Sequence, residues 1–65
     1  MHLIVNGEPV DLMSPTLAEA LVELDLADAT VATALNGSFV PARARVAQPL
    51  RAGDRLEIVA PMQGG

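Results

Sequence analysis

"HLIVNGEPVDLMSPTLAEALVELD", residues 2–25, changes its hydrophobic period part-way along, and that change decides the fold. In the first half Leu3 and Val5 fall on one side of an extended chain, and Asn6-Gly7 is a strong turn dipeptide. Val10 and Leu12 can rejoin the same side across the ladder, so the segment reads as a β-hairpin. Pro9 has no amide hydrogen, which places the second strand at a sheet edge. Beyond Ser14-Pro15 the spacing turns helical. Leu17, Ala20, Leu21 and Leu24 stand at i, i+3, i+4 and i+7, leaving Glu19 and Glu23 toward solvent. Thr16 and Glu19 have the spacing of a capping box, with Ser14 before Pro15 as the competing cap. No glycine follows the helix; Asp25, which tolerates a left-handed conformation better than most residues, can end it.

Further along, "TVATALNGSFVPA" (30–42) carries a second hairpin signal at Asn36-Gly37. A two-residue turn pairs Leu35 with Ser38, Ala34 with Phe39 and Thr33 with Val40. Val31, Thr33, Leu35 and Val40 then face the core, and Ala32, Ala34 and Phe39 face outward. "RARVAQPL" (43–50) reads as short and irregular, and Ala52 to Asp54 as a turn. "RLEIVAP" (55–61) alternates as a strand with Leu56, Ile58 and Ala60 on one face and Arg55, Glu57 and Val59 on the other, until Pro61 ends it. The order β-β-α-β-β-β predicts an α+β layer: a mixed sheet of four to five strands with one helix packed on one face. Residues 1–60 form this domain, and residues 61–65 are expected to be a flexible tail. If the first and last strands lie side by side at the sheet centre, Ile4, Ala32, Ala34, Phe39 and Val59 form one apolar patch on the face away from the helix. Such a patch is a candidate docking face for a protein partner, whereas singly scattered apolar residues would need no explanation.

Composition narrows the function. A chain of 65 residues is one domain, and at this size only about 60 per cent of the unfolded surface is buried, which leaves no room for a lined active-site cavity beside the core. The sequence has no cysteine and a single histidine, His2, so neither a disulfide frame nor a zinc site is expected within it. Eight acids against four arginines give a net charge of −4, which argues against nucleic acid or an anionic membrane surface as partner and suits docking onto basic proteins. No apolar stretch approaches a membrane span, and "MHLIVNGEPV" lacks the features of a signal peptide, so a cytoplasmic location is the expectation. The absence of lysine fits nucleotide composition of the source, and equally a chain whose activated terminus should meet no amine on its own surface.

The last five residues, "PMQGG" (61–65), pose a separate question. Two final glycines arise by accident or as a processing scar; they also make a thin arm. Fully extended, five residues reach about 17 Å, and Gly64 and Gly65 pass where a β-carbon would clash.

"NGEPV" (6–10), "ALNGSFVPARARV" (34–46) and "GDRLEIVAPMQGG" (53–65) together resemble the sulfur carrier family of thiamine biosynthesis, the ThiS family of ubiquitin-like β-grasp proteins. The resemblance covers the whole chain, with one departure: Asp25 stands where relatives often carry glycine after the helix. It implies a carrier rather than an enzyme, with no bound cofactor. An E1-like adenylating enzyme would consume ATP to activate the carboxylate of Gly65, a sulfur donor protein would supply sulfur to make a thiocarboxylate, and thiazole synthase would take that sulfur. Pro61, Met62, Gln63 and Gly64 would enter the partners' sites. With no cysteine in the chain, and with thioethers unable to form persulfides, the terminal carboxylate is the only group left to carry sulfur. Three alternatives share parts of the pattern: the small-subunit carrier of molybdopterin synthesis, a ubiquitin-like protein modifier, and a β-grasp binding module with no covalent chemistry.

Overall fold

The computed structural model describes residues 1–60. Strands β1 (His2–Val5) and β2 (Glu8–Asp11) are followed by helix α1 (Leu17–Glu23), strands β3 (Ala32–Leu35) and β4 (Ser38–Val40), a 3₁₀ helix (Ala42–Ala47) and strand β5 (Arg55–Val59). Both hairpins turn where the Asn-Gly pairs stand. Asn6 and Gly7 have φ of 51° and 84°, and Asn36 and Gly37 have 51° and 85°. Two successive positive φ values are the requirement of a type I′ turn, whose twist matches that of the flanking strands. The pairing Thr33↔Val40, Ala34↔Phe39, Leu35↔Ser38 follows from that turn length.

The strands form a single five-stranded sheet in the order β2-β1-β5-β3-β4. The last strand is therefore the central one. β5 runs parallel to β1 (Ile4↔Arg55, Val5↔Leu56) and antiparallel to β3, from Ala32↔Val59 to Leu35↔Leu56. β2, with Pro9, is an edge.

Helix α1 lies across one face. Thr16 is its N-cap: its backbone is extended and its Oγ1 accepts from the Glu19 amide at 3.3 Å. Ser14, the competing cap, is engaged elsewhere, its hydroxyl donating to the Glu23 carboxylate at 2.6 Å. Glu23 is exposed, as its place on the helix suggests, but it also accepts the Met13 amide at 2.9 and 3.1 Å and so fastens the loop leading into the helix. At the other end Asp25 adopts φ 62°. The Leu26 amide donates to the Leu21 carbonyl (2.7 Å) and the Asp25 amide to that of Val22 (3.0 Å), which together make a Schellman stop with aspartate in glycine's usual place.

Leu17, Ala20 and Leu21 are buried on the helix. Leu17 and Ala20 join Leu3, Leu12, Leu35, Val40, Leu50 and Leu56 in one aliphatic core between helix and sheet. Complete burial of a leucine such as Leu17 contributes about 1.5–3 kcal/mol.

Three expectations are corrected. Residues 42–47, read as irregular, form the 3₁₀ helix, and the segment after it runs alongside the helix entry: the Leu17 amide donates to the Gln48 carbonyl and the Leu50 amide to that of Pro15, both at 2.9 Å. This draws Leu50 into the core. Val31, assigned to the core, precedes β3 and is only half-buried, because the strand begins at Ala32. Ala60, placed on the inner face, is exposed beyond the end of β5. Arg45 also gains a role. Its Nε donates to Thr33 Oγ1 (3.0 Å) and its Nη2 to the Val31 carbonyl (2.7 Å), while the buried Thr33 hydroxyl donates to the Val40 carbonyl (2.8 Å). The 3₁₀ helix is thereby tied to β3, and a buried hydroxyl is left with both partners it needs. Among the described residues, no helix is long and apolar enough to cross a membrane.

Candidate functional site

The chemistry expected of this chain lies at Gly65, carried by Pro61, Met62, Gln63 and Gly64; all five fall outside the described residues. What the structure shows is the platform from which that segment departs: the end of β5 and the sheet face away from α1.

β5 is held from both sides and at both ends. On the β1 side the Ile4 amide donates to the Asp54 carbonyl and the Asn6 amide to that of Leu56, each at 2.9 Å. The Asn6 side chain then bridges Ile58, accepting its amide hydrogen at 2.8 Å and donating to its carbonyl at 3.1 Å. At the start of the strand Asn36 accepts from the Arg55 amide at 2.9 Å and donates to the Asp54 carboxylate at 3.0 Å. The two turn asparagines are legible in the sequence as turn formers; their grip on β5 is not.

Cross-strand partners share a face, so the register fixes the composition of the outer surface. Phe39 lies opposite Ala34, Ala34 opposite Glu57, Ala32 opposite Val59, and Ile4 between Pro9 and Arg55. Phe39 is 70 % exposed and Val59 60 %, with Ala32 also exposed and Ile4 and Ala34 half-buried. All five residues expected on this face are on it. They do not make one patch. Ala32, Ala34, Phe39 and Val59 are neighbours, whereas Ile4 stands across β5, which puts Arg55 and Glu57 between them. The alternation of "RLEIV" placed those charges on this side, and the strand order makes them its centre. Where β5 ends, Thr30, Val31, Ala32 and Val59 line an open, largely apolar depression of about 270 Å³. On the helix side Glu23 has its carboxyl held below the ordinary range, first by the Ser14 hydroxyl and then by the Met13 amide, against the opposing effect of desolvation.

A mixed sheet with one helix across one face and the final strand at its centre defines a ubiquitin-like β-grasp protein of the α+β class. The model of the ThiS family matches residues 3–65. A sulfur carrier protein ThiS of Thermus thermophilus is 46% identical over 66 residues, covering 94% of this chain and 95% of the relative. The crystal structure of a thiamine biosynthesis protein (ThiS) from Geobacter metallireducens superposes with a TM-score of 0.83 at 33% identity, each chain covered in full. The solution structure of a thiamine biosynthesis protein from the same organism gives 0.79 at 32% identity, covering 100% of this chain and 88% of that one. The chain belongs to the ThiS family, and with it to the sulfur carriers of thiamine biosynthesis.

Proposed function

We propose that the chain carries sulfur as a thiocarboxylate on Gly65 and delivers it to thiazole synthase. The observation that supports this most directly is that the family match runs to residue 65, so it takes in Gly64 and Gly65 rather than the folded domain alone. The chemistry follows from what a carboxylate is. Its carbonyl is a poor electrophile. An E1-like adenylating enzyme joins a carboxylate oxygen to the α-phosphorus of ATP and releases pyrophosphate. The acyl-adenylate then has AMP as a good leaving group: hydrosulfide released by a donor protein attacks the carbonyl carbon, the bond to AMP breaks, and a thiocarboxylate is left with its sulfur at the sulfide level throughout. ATP is consumed in the partner's site and is not held by this chain. The carrier is a co-substrate with no catalytic residues of its own, and the cytoplasm, where ATP is at hand, is its proposed setting. The outer sheet face with Ile4, Ala32, Ala34, Phe39 and Val59 is the proposed docking surface, and Arg55 and Glu57 at its centre give it a charge pattern a partner can read.

The test is intact-mass measurement after incubation with the adenylating enzyme, ATP and a sulfur donor. One C-terminal oxygen should be replaced by sulfur, and a chain lacking Gly64 and Gly65 should gain none. A full-length chain that stays unmodified beside an enzyme shown to be active overturns the proposal.

A further inference from the structure

Asn6 does more than turn the first hairpin. Its φ of 51° is what a type I′ turn asks for, and glycine would meet that demand as well. The side chain serves a different end. β1 pairs with β5 only as far as Leu56 and then turns away, while β5 continues to Val59. At Ile58 the ladder would otherwise stop on that side. There the Asn6 carboxamide stands in for a strand, its Oδ1 accepting from the Ile58 amide at 2.8 Å and its Nδ2 donating to the Ile58 carbonyl at 3.1 Å. A carboxamide offers an acceptor and a donor side by side, as a peptide group does; a carboxylate offers no donor, and glycine offers neither. Asn36 grips the opposite, N-terminal end of β5 through the Arg55 amide and the Asp54 carboxylate.

We propose that Asn6 is a positioning residue: by bridging Ile58 it sets where the sheet ends and the C-terminal arm begins. Ile58 lies three residues before Pro61, and among the described residues this bridge is the last contact of β5 on the β1 side. Both hydrogen bonds are exposed. Water can replace them, and β3 still pairs with Ile58 and Val59, so their loss loosens one flank of the end of β5 rather than unfolding the domain. Residues loosened at the end of β5 have to be ordered again when a partner binds there, at a cost that corresponds to about a tenfold weaker association per residue. Under the carrier reading proposed above, the penalty falls on binding and leaves the chemical step alone, so it shows as a higher KM with kcat kept.

The experiment compares wild type, Asn6→Gly, Asn6→Asp and Asn36→Gly as substrates of the adenylating enzyme, with hydrogen exchange followed at the Ile58 amide. Asn6→Gly keeps the turn and removes the bridge. It should raise KM for the carrier about tenfold, with kcat changed by less than about twofold. The Ile58 amide should exchange about tenfold faster. Asn6→Asp, which keeps the turn and the acceptor but loses the donor, should raise KM by less than Asn6→Gly and leave the Ile58 amide, still bonded to an oxygen of residue 6, exchanging near the wild-type rate. Asn36→Gly removes a matching grip at the other end of the strand and should leave KM at the wild-type value. An unchanged KM in both Asn6 variants overturns the proposal, as does an equal rise in Asn36→Gly. If wild type is not adenylated at all, the carrier reading fails instead, and Ile58 exchange that is the same in Asn6→Gly and wild type then overturns the bridge on its own.

Discussion

Asp25 is where helix α1 stops, and substituting it separates what the backbone demands there from what the side chain supplies. The residue sits at φ 62° and donates its amide to the Val22 carbonyl while Leu26 closes the outer bond to Leu21. An L-residue with a β-carbon pays about 1–2 kcal/mol in this region, with aspartate and asparagine at the low end because their short polar side chains hydrogen-bond locally. Alanine has no such compensation, so Asp25→Ala should cost about 1 kcal/mol. Asp25→Gly removes the strain, worth about 1 kcal/mol, but gives the unfolded chain extra freedom worth about 0.5–1 kcal/mol. It should therefore come out between neutral and about 0.5 kcal/mol more stable than wild type. Asp25→Asn, equally tolerant of the conformation, should stay within about 0.5 kcal/mol of wild type. In a domain of this size 1 kcal/mol moves Tm by about 4–8 °C, so the alanine variant is well resolved from the other two. The chain has no tryptophan or tyrosine, which makes far-UV circular dichroism the natural probe for thermal and urea unfolding. If Asp25→Ala proves as stable as Asp25→Gly, the left-handed residue is not what ends the helix.

Two further outcomes follow from the same contacts. Because the Ser14 hydroxyl and the Met13 amide hold the Glu23 carboxyl below its ordinary value of 4.5, the folded state binds that proton less readily than the unfolded chain does. Its contribution to stability is complete above pH 4.5 and is lost as the pH falls through the lower folded value, so Glu23→Gln should flatten the acid limb of a urea-midpoint titration below that point; an acid limb parallel to wild type refutes it. Phe39→Asp on the outer face should leave the fold intact, since the ring is 70 % exposed, yet weaken binding to the adenylating enzyme or thiazole synthase about thirtyfold or more, the mark of losing an aromatic anchor of about 2 kcal/mol. Calorimetric titration that finds both affinities unchanged removes this face from the interface.

The features legible in the sequence are those set by neighbouring residues. Asn6-Gly7 and Asn36-Gly37 specify their turns through backbone angles that few other pairs accept, and the hairpin registers follow. Thr16 and Asp25 bound the helix for equally local reasons. Pro9 marks an edge because it lacks a donor. The parallel pairing of β1 with β5 joins segments some fifty residues apart, as the Asn6–Ile58 bonds with their separation of 52 illustrate, and no short-range pattern encodes it. From sequence it stands only as a condition. The same limit hides the tertiary polar contacts. Arg45 looks like any surface arginine until the 3₁₀ helix folds it against Thr33, and Glu23 looks like a solvated acid until Ser14 and Met13 turn toward it. The outer face is half readable: strand alternation puts Arg55 and Glu57 there, but only the strand order shows that they part Ile4 from Phe39.

The central place of β5 has a mechanical consequence. A pull on its C-terminal end acts along the strand, and β1 on one flank and β3 on the other resist it together through bonds lying across the line of force. Such bonds are loaded in shear and must give way as a group, whereas an edge strand such as β2 or β4 can be peeled away one rung at a time. Traction along β5 is therefore shared by its two neighbours, β1 as far as Leu56 and β3 as far as Val59.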